Sequence, residues 1–248
     1  HGDITPTTPA SARVTLAAHE AAFRAAGLGH ILPQIAGLVV QPGVEFSPMQ
    51  IHHLPQGRDP GLLAVLSDWP HLCLEAHSTD YQVPEVFPRL AELGFAFQKV
   101  GPALTFAYRQ AVYALDSLLQ QSGWASTEPL FATMEALMLA EPGYWQGHYR
   151  GESGDLRVER HFGLADRIRY YWPHPQAQST VAALLGDLAG RTLPEPMLWQ
   201  AFPAPVIARA QSLGALSPRN LILASIQLAL DPYFFSKPDP KTRSSGDD

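Results

Sequence analysis

The segment HLCLEAHSTDYQ (71–82) opens on an apolar run, Leu72 to Leu74, and closes on polar residues. A short apolar run of this kind fits a strand buried in a parallel sheet, with the polar residues delivered at its C-terminal end. The same arrangement recurs on both sides. Upstream stands QIAGLVVQPGVEF (34–46), downstream FAFQKVGPALTF (95–106). Helical patterns separate the three. Leu16 and Phe23 lie seven apart in an Ala-rich run that Gly27 and Gly29 stop, which predicts a helix over about 9–26. GLLAVLSDWP (61–70) reads as the next helix and PEVFPRLAELG (84–94) as a short helical link. After the third strand, Tyr108, Val112, Leu115 and Leu119 mark one face of a further helix. Strand and helix in alternation predict right-handed parallel units, as in a barrel or an open doubly wound sheet.

Only three such strands are visible. From about Ser122 the patterns are helical: 126–145, 164–175, 180–190 and 208–235. The end, SKPDPKTRSSGDD (236–248), is polar and reads as a disordered tail.

The 248 residues suit one large domain or two small ones. With 46% apolar and 16% charged residues, disorder is excluded for most of the chain. Lys and Arg total 17 against 23 Asp and Glu, a formal charge of -6, so neither nucleic acid nor an anionic membrane surface is expected as a partner. Cys73 is the single cysteine, which excludes an intrachain disulfide framework and a Cys-rich zinc module and favours a cytoplasmic home. No apolar run approaches the roughly 18 residues of a membrane span, and the start lacks the marks of an export signal. The chain begins at His1, as expected of a processed protein or a piece of a longer one.

P-loop, complete GxGxxG, GxSxG and HExxH signatures are absent. What remains are polar residues at strand C-terminal ends, the functional face of an α/β barrel. Glu75 and His77 are two apart and share a face, so they suit proton transfer or a shared divalent metal, though a buried structural pair is the plainer reading. Asp80 follows in the loop as a base or a helix cap. The first strand puts Gln41, Gly43 and Glu45 on one face, with Gly43 open to close substrate approach or to a simple turn. Lys99 can hold a phosphate or pair with Glu75 or Glu45. His52 and His53 sit in a loop and cannot both face one way. In DRIRYYWPHP (166–175), Arg167 and Arg169 stand among aromatics, suiting a sugar-phosphate pocket, a subunit interface or plain packing.

The strings VVQPGVEF (39–46), EAHSTDYQ (75–82), KVGPALTF (99–106) and DRIRYYWPH (166–174) resemble the non-catalytic Z subunit of class II D-tagatose-1,6-bisphosphate aldolase, the GatZ/KbaZ family. With the intervening helices the resemblance runs from about Arg13 to Phe234; WQAFP (199–203) departs from it. It implies an α/β fold, the last three strands of an aldolase-like TIM (β/α)8 barrel over residues 1–121, then a helical region over 122–235 and the tail over 236–248. The first five strands, with a Gly-Gly-Asp-His and a Gly-Thr-Glu-Val-Pro string, would be missing. It also implies an oligomeric accessory subunit that supports a catalytic aldolase subunit in carbohydrate catabolism. The alternative implied by relatives is a metal-dependent ketohexose-phosphate 4-epimerase, interconverting fructose 6-phosphate and tagatose 6-phosphate by retro-aldol chemistry. In that alternative His77 would hold a divalent metal, Zn2+ or similar. Glu45, Glu75 and Asp80 would be catalytic, and Gln41, Gly43, Lys99, Arg167 and Arg169 would bind the substrate. The older kinase label finds no support, since no Gly-rich phosphate loop is present.

Overall fold

In the computed structural model, which describes residues 4–55 and 57–236, the chain divides into two compact units. The first gathers the described residues of 1–46, 51–101 and 232–248; the second gathers 47–50 and 102–231. The expected tail falls, from residue 237 on, outside the described residues.

The first unit opens with α1 (Pro9–Ala25), where the Thr8 hydroxyl accepts from the Ser11 N–H and Pro9 occupies the first turn. Its strands are β1 (Gly37–Val39), β2 (Glu45–Phe46), β3 (Ile51–His52), β4 (Cys73–Ala76) and β5 (Phe95–Gln98), with α2 (Val86–Glu92) between the last two. β1, β4 and β5 form a parallel sheet in that order, and β2 pairs with β3 as a separate antiparallel hairpin. The resulting fold is α/β with a small parallel sheet.

Burial alternates along the strands as a one-sided core requires. Val40, Leu74, Ala76 and Phe95 are buried together with Ala12, Leu16, Val65 and Leu90 from the flanking helical segments. Burying each Leu or Phe side chain contributes about 1.5–3 kcal/mol. On the other face Val39 and Phe97 stay about half exposed, at 52% and 50%. A register shift puts Leu74 opposite Phe95 but Glu75 opposite Phe97, so Ala96 is an extra residue in β5. The bulge turns Phe95 and Phe97, two apart in sequence, to opposite faces.

The structure corrects four readings. The strand expected over 34–46 ends at Val39, because Pro42 has no N–H to donate and Gly43 takes φ +110; Glu45 belongs to the hairpin, and His52 lies in β3 rather than a loop. The helix expected over 61–70 is a short 3-10 segment, Leu62–Ser67. DRIRYYWPHP gives only a 3-10 turn, Arg167–Tyr171, because Asp166 before it is left-handed at φ 47.

The second unit is helical: α3 (Ala103–Gln121), α4 (Leu130–Ala140), α5 (Ser153–Phe162), α6 (Pro175–Leu188), α7 (Glu195–Ala201), α8 (Ala204–Ser212) and α9 (Pro218–Leu230). Residues 107–235 contribute no strand. Leu115, Leu119, Met134, Met138, Tyr171, Leu184 and Leu221 form its core. Arg109 and Asp166, both almost fully buried, pair at 2.7 Å, and Arg109 also donates to the Gly163 carbonyl.

Candidate active site at the strand ends

Gln41, His77 and Lys99 follow the C-terminal ends of β1, β4 and β5 by one or two residues, and parallel register brings those ends to one edge of the sheet. Backbone bonds from Val40 N to Glu75 O and from Lys99 N to Ala76 O extend the ladder to that edge. Glu75 and His77 lie on the half-exposed face. His77 Nε2 donates to Glu75 Oε1 at 2.6 Å, with the side chains 38% and 31% exposed. The short, charge-assisted contact orients an imidazole that solvent and small molecules can reach. Glu75 Oε2 also lies 3.8 Å from where a side chain on Gly37 would start.

The other candidates are used differently. Gln41 Oε1 accepts from the N–H groups of Gly43 and Val44, and the Gln41 backbone exchanges bonds with Thr7. It shapes its own loop. At Gly43 a β-carbon would stand 3.1 Å from Arg58 Nη1, so what approaches this glycine closely is Arg58 of the same chain, whose guanidinium also donates to the Ile4 carbonyl. Glu45 is half-buried and accepts from the Phe46 N–H, opposite His52 in the hairpin. Gln82, buried, ties the hairpin to the loop after β4 by accepting from Leu54 N–H and donating to His52 O. Lys99 is exposed, and among the described residues it makes no ion pair, with Glu75, Glu45 or any other carboxylate.

Asp80 is 1% exposed. Its Oδ1 accepts from the Gly101 N–H at 3.0 Å and from the Tyr233 hydroxyl at 3.3 Å. Thr79, fully buried, donates to the Lys99 carbonyl and lies 3.0 Å from the same Tyr233 hydroxyl. Burial raises the Tyr233 hydroxyl's pKa. Ser78 and Tyr81, on either side of Thr79 and Asp80, hold left-handed backbone at φ 55 and φ 64, and the Tyr81 ring meets Phe46 edge-on. Such backbone persists only where its surroundings over-determine it. Tyr233 was not legible as a site residue: it is 153 residues from Asp80 and sits in no motif.

Arg167 and Arg169 belong to the second unit. Arg167 Nε donates to the Tyr144 carbonyl, Arg169 to the carbonyls of Ala165 and Asp166, and both guanidiniums lie over the Tyr170 ring.

A catalytic divalent metal ordinarily takes three protein ligands. Glu75 and His77 supply two, and among the described residues no group of three or more His, Cys, Asp or Glu is placed to hold an ion. The residues present therefore do not complete a metal site.

Comparisons with known proteins agree with this architecture. The family model described as "D-tagatose-1,6-bisphosphate aldolase subunit GatZ/KbaZ-like" matches residues 1–237. The chain is similar to D-tagatose 6-phosphate 4-epimerase of Agrobacterium fabrum, 41% identical over 232 residues that cover 93% of this chain and 54% of the relative. It is equally similar to D-tagatose-1,6-bisphosphate aldolase subunit GatZ of Salmonella enteritidis, 41% identical over 225 residues, 89% of this chain and 52% of the relative. A crystal structure described as a probable tagatose 6 phosphate kinase from Sinorhizobium meliloti 1021 superposes with a TM-score of 0.86 at 38% identity, covering 94% of this chain and 60% of that one. The chain thus spans about half the length of the curated relatives it matches. Among the described residues no helix is long and apolar enough to cross a membrane.

Proposed function

The chain belongs to the D-tagatose-1,6-bisphosphate aldolase subunit GatZ/KbaZ-like family, and from that premise we propose that it carries part of the site of a ketohexose-phosphate 4-epimerase. The observation that carries this reading is the Glu75–His77 contact on an open face at the C-terminal edge of a parallel sheet. Both side chains are about a third exposed, so a substrate can reach the imidazole.

Carbon 4 of a 2-ketose is not adjacent to the carbonyl, so simple deprotonation cannot invert it. Cleavage of the C3–C4 bond can. His77, oriented by Glu75, takes the proton of the carbon-4 hydroxyl. The C3–C4 electron pair passes into the C2 carbonyl, leaving an enediolate of dihydroxyacetone beside glyceraldehyde 3-phosphate. Rotation of the aldehyde and re-formation of the bond on its other face, with the proton returned to the carbon-4 oxygen, gives the epimer. Lys99 supplies positive charge to the phosphate at the same edge, and Glu45 and Gln41 shape the loop that walls it. The three-stranded sheet is proposed as the end of an aldolase-like barrel: Val39 and Phe97 lie half exposed on one face, and among the described residues β1 and β5 each have one unpaired edge.

A second reading, an accessory subunit bound to a catalytic aldolase subunit in the cytoplasm, is favoured by the relatives named GatZ. One assay separates the two. Purified protein is given fructose 6-phosphate in D2O, with and without added divalent metal. The epimerase reading expects tagatose 6-phosphate without deuterium at carbon 4, because the retro-aldol path never breaks that C–H bond. No product without an added aldolase subunit favours the accessory reading, and deuterium at carbon 4 rules out bond cleavage.

A further inference from the structure

We infer that Tyr233 is a positioning residue, a latch that fixes the loop 78–82 and through it His77. The inference rests on the site proposed above and adds to it a residue from the far end of the chain. Tyr233 follows α9 in the 3-10 turn Asp231–Tyr233, and the described residues from Pro232 on cluster with the first unit. Its ring packs on buried Phe87 of α2 at 4.6 Å between centroids. Its hydroxyl stands between Thr79 Oγ1 at 3.0 Å and Asp80 Oδ1 at 3.3 Å.

The need for a latch comes from the backbone. The residue after His77 is Ser78 at φ 55, and two further on from Thr79 is Tyr81 at φ 64. Left-handed backbone costs about 1–2 kcal/mol at each non-glycine residue, so this loop does not hold its shape by local preference. Tertiary bonds hold it: the Thr79 hydroxyl donates to the Lys99 carbonyl, Asp80 accepts from the Gly101 N–H, and the single Tyr233 O–H reaches Asp80 Oδ1 or Thr79 Oγ1. Thr79 spends its hydroxyl proton on Lys99, so the Tyr233 proton is what completes the cluster toward Thr79 or Asp80. The Tyr233 hydroxyl, 3.3 Å from Asp80 Oδ1, thereby bears on the Asp80 orientation. The loop conformation sets where the backbone delivers His77, one residue before Ser78, and hence the 2.6 Å contact with Glu75.

Tyr233→Phe removes the hydroxyl and keeps the ring on Phe87. In the purified protein, amide exchange at residues 78–82 and the His77 ring resonance, assigned through its loss in His77→Ala, are compared between parent and Tyr233→Phe. The latch predicts that exchange at 78–82 quickens about tenfold, the loss of one net hydrogen bond, and that the His77 ring resonance shifts, at an unchanged melting temperature within a few degrees. An unaltered His77 resonance overturns the inference, whatever happens to exchange. Turnover of fructose 6-phosphate is read separately: kcat falling with KM within twofold supports the latch, and a kcat equal to the parent's overturns it. A parent without turnover sinks the epimerase reading alone, and the His77 resonance then decides the latch.

Discussion

Gly101 shows how little room the site loop has. A β-carbon there would stand 2.5 Å from Asp80 Oδ2, closer than real contacts allow, and Asp80 is too well buried to swing into solvent. Gly101→Ala must therefore push the carboxylate off the Gly101 N–H and the Tyr233 hydroxyl. The expected cost is about 1–3 kcal/mol of stability by overpacking, read in denaturant unfolding, with the same change at exposed Gly147 as the control. Equal midpoints for Gly101→Ala and the parent would show that the loop yields. At this scale the sequence was partly legible. Glu75, His77 and Lys99 are placed at strand ends as their spacing predicts, because period-two geometry is local. Gly43 and Gln41 turn out to serve their own loop, since the neighbours that occupy them, Arg58 and Thr7, come from segments without any motif.

Among the elements of the second unit, α3, α4 and α5 are joined by a buried polar network. The Tyr113 hydroxyl of α3 lies 2.8 Å from His161 Nδ1 of α5, and His161 Nε2 donates to Glu135 of α4 at 3.0 Å. Arg160 grips the same carboxylate with two bonds, and Phe131 stacks on the imidazole at 3.7 Å. Burial pushes the His161 pKa down to about 4, outweighing the opposing pull of Glu135. Burial alone would raise the Glu135 carboxyl, but Arg160 and His161 bring it below its usual range. A histidine with a depressed folded pKa contributes fully above its unfolded value and loses that contribution as pH falls. The loss runs from about pH 6.5 to about 4 and amounts to about 3 kcal/mol at most. The depressed Glu135 carboxyl acts in the same direction at the lower end. The melting temperature should thus drop through this window, and His161→Gln should flatten the drop. A variant that keeps the full slope would remove His161 as its cause. α3, α4 and α6 were readable from apolar periodicity, and α8 and α9 as one stretch, whereas α5 and α7 escaped it; the buried face of α5 is Arg160 and His161, residues that apolar patterns do not count. The β5 bulge escaped for a related reason, because an inserted Ala96 leaves no trace in composition and yet sends Phe97 to the open face.

For the whole molecule, three parallel strands and their flanking helical segments form one unit, whose sheet edge carries His77 and Lys99, and the second unit is helical. The α/β alternation was legible because each strand announces itself by an apolar run with a polar end. The proposed epimerase activity requires that Glu75 and His77 act together on a ketohexose phosphate at that edge. The most direct measurement is kcat for conversion of fructose 6-phosphate to tagatose 6-phosphate by the parent, Glu75→Gln and His77→Ala proteins. General-base catalysis predicts losses of about 10²–10⁴-fold in both variants, with the double variant no worse than the poorer single one. An active parent whose turnover survives in either variant within a few-fold would contradict the claim.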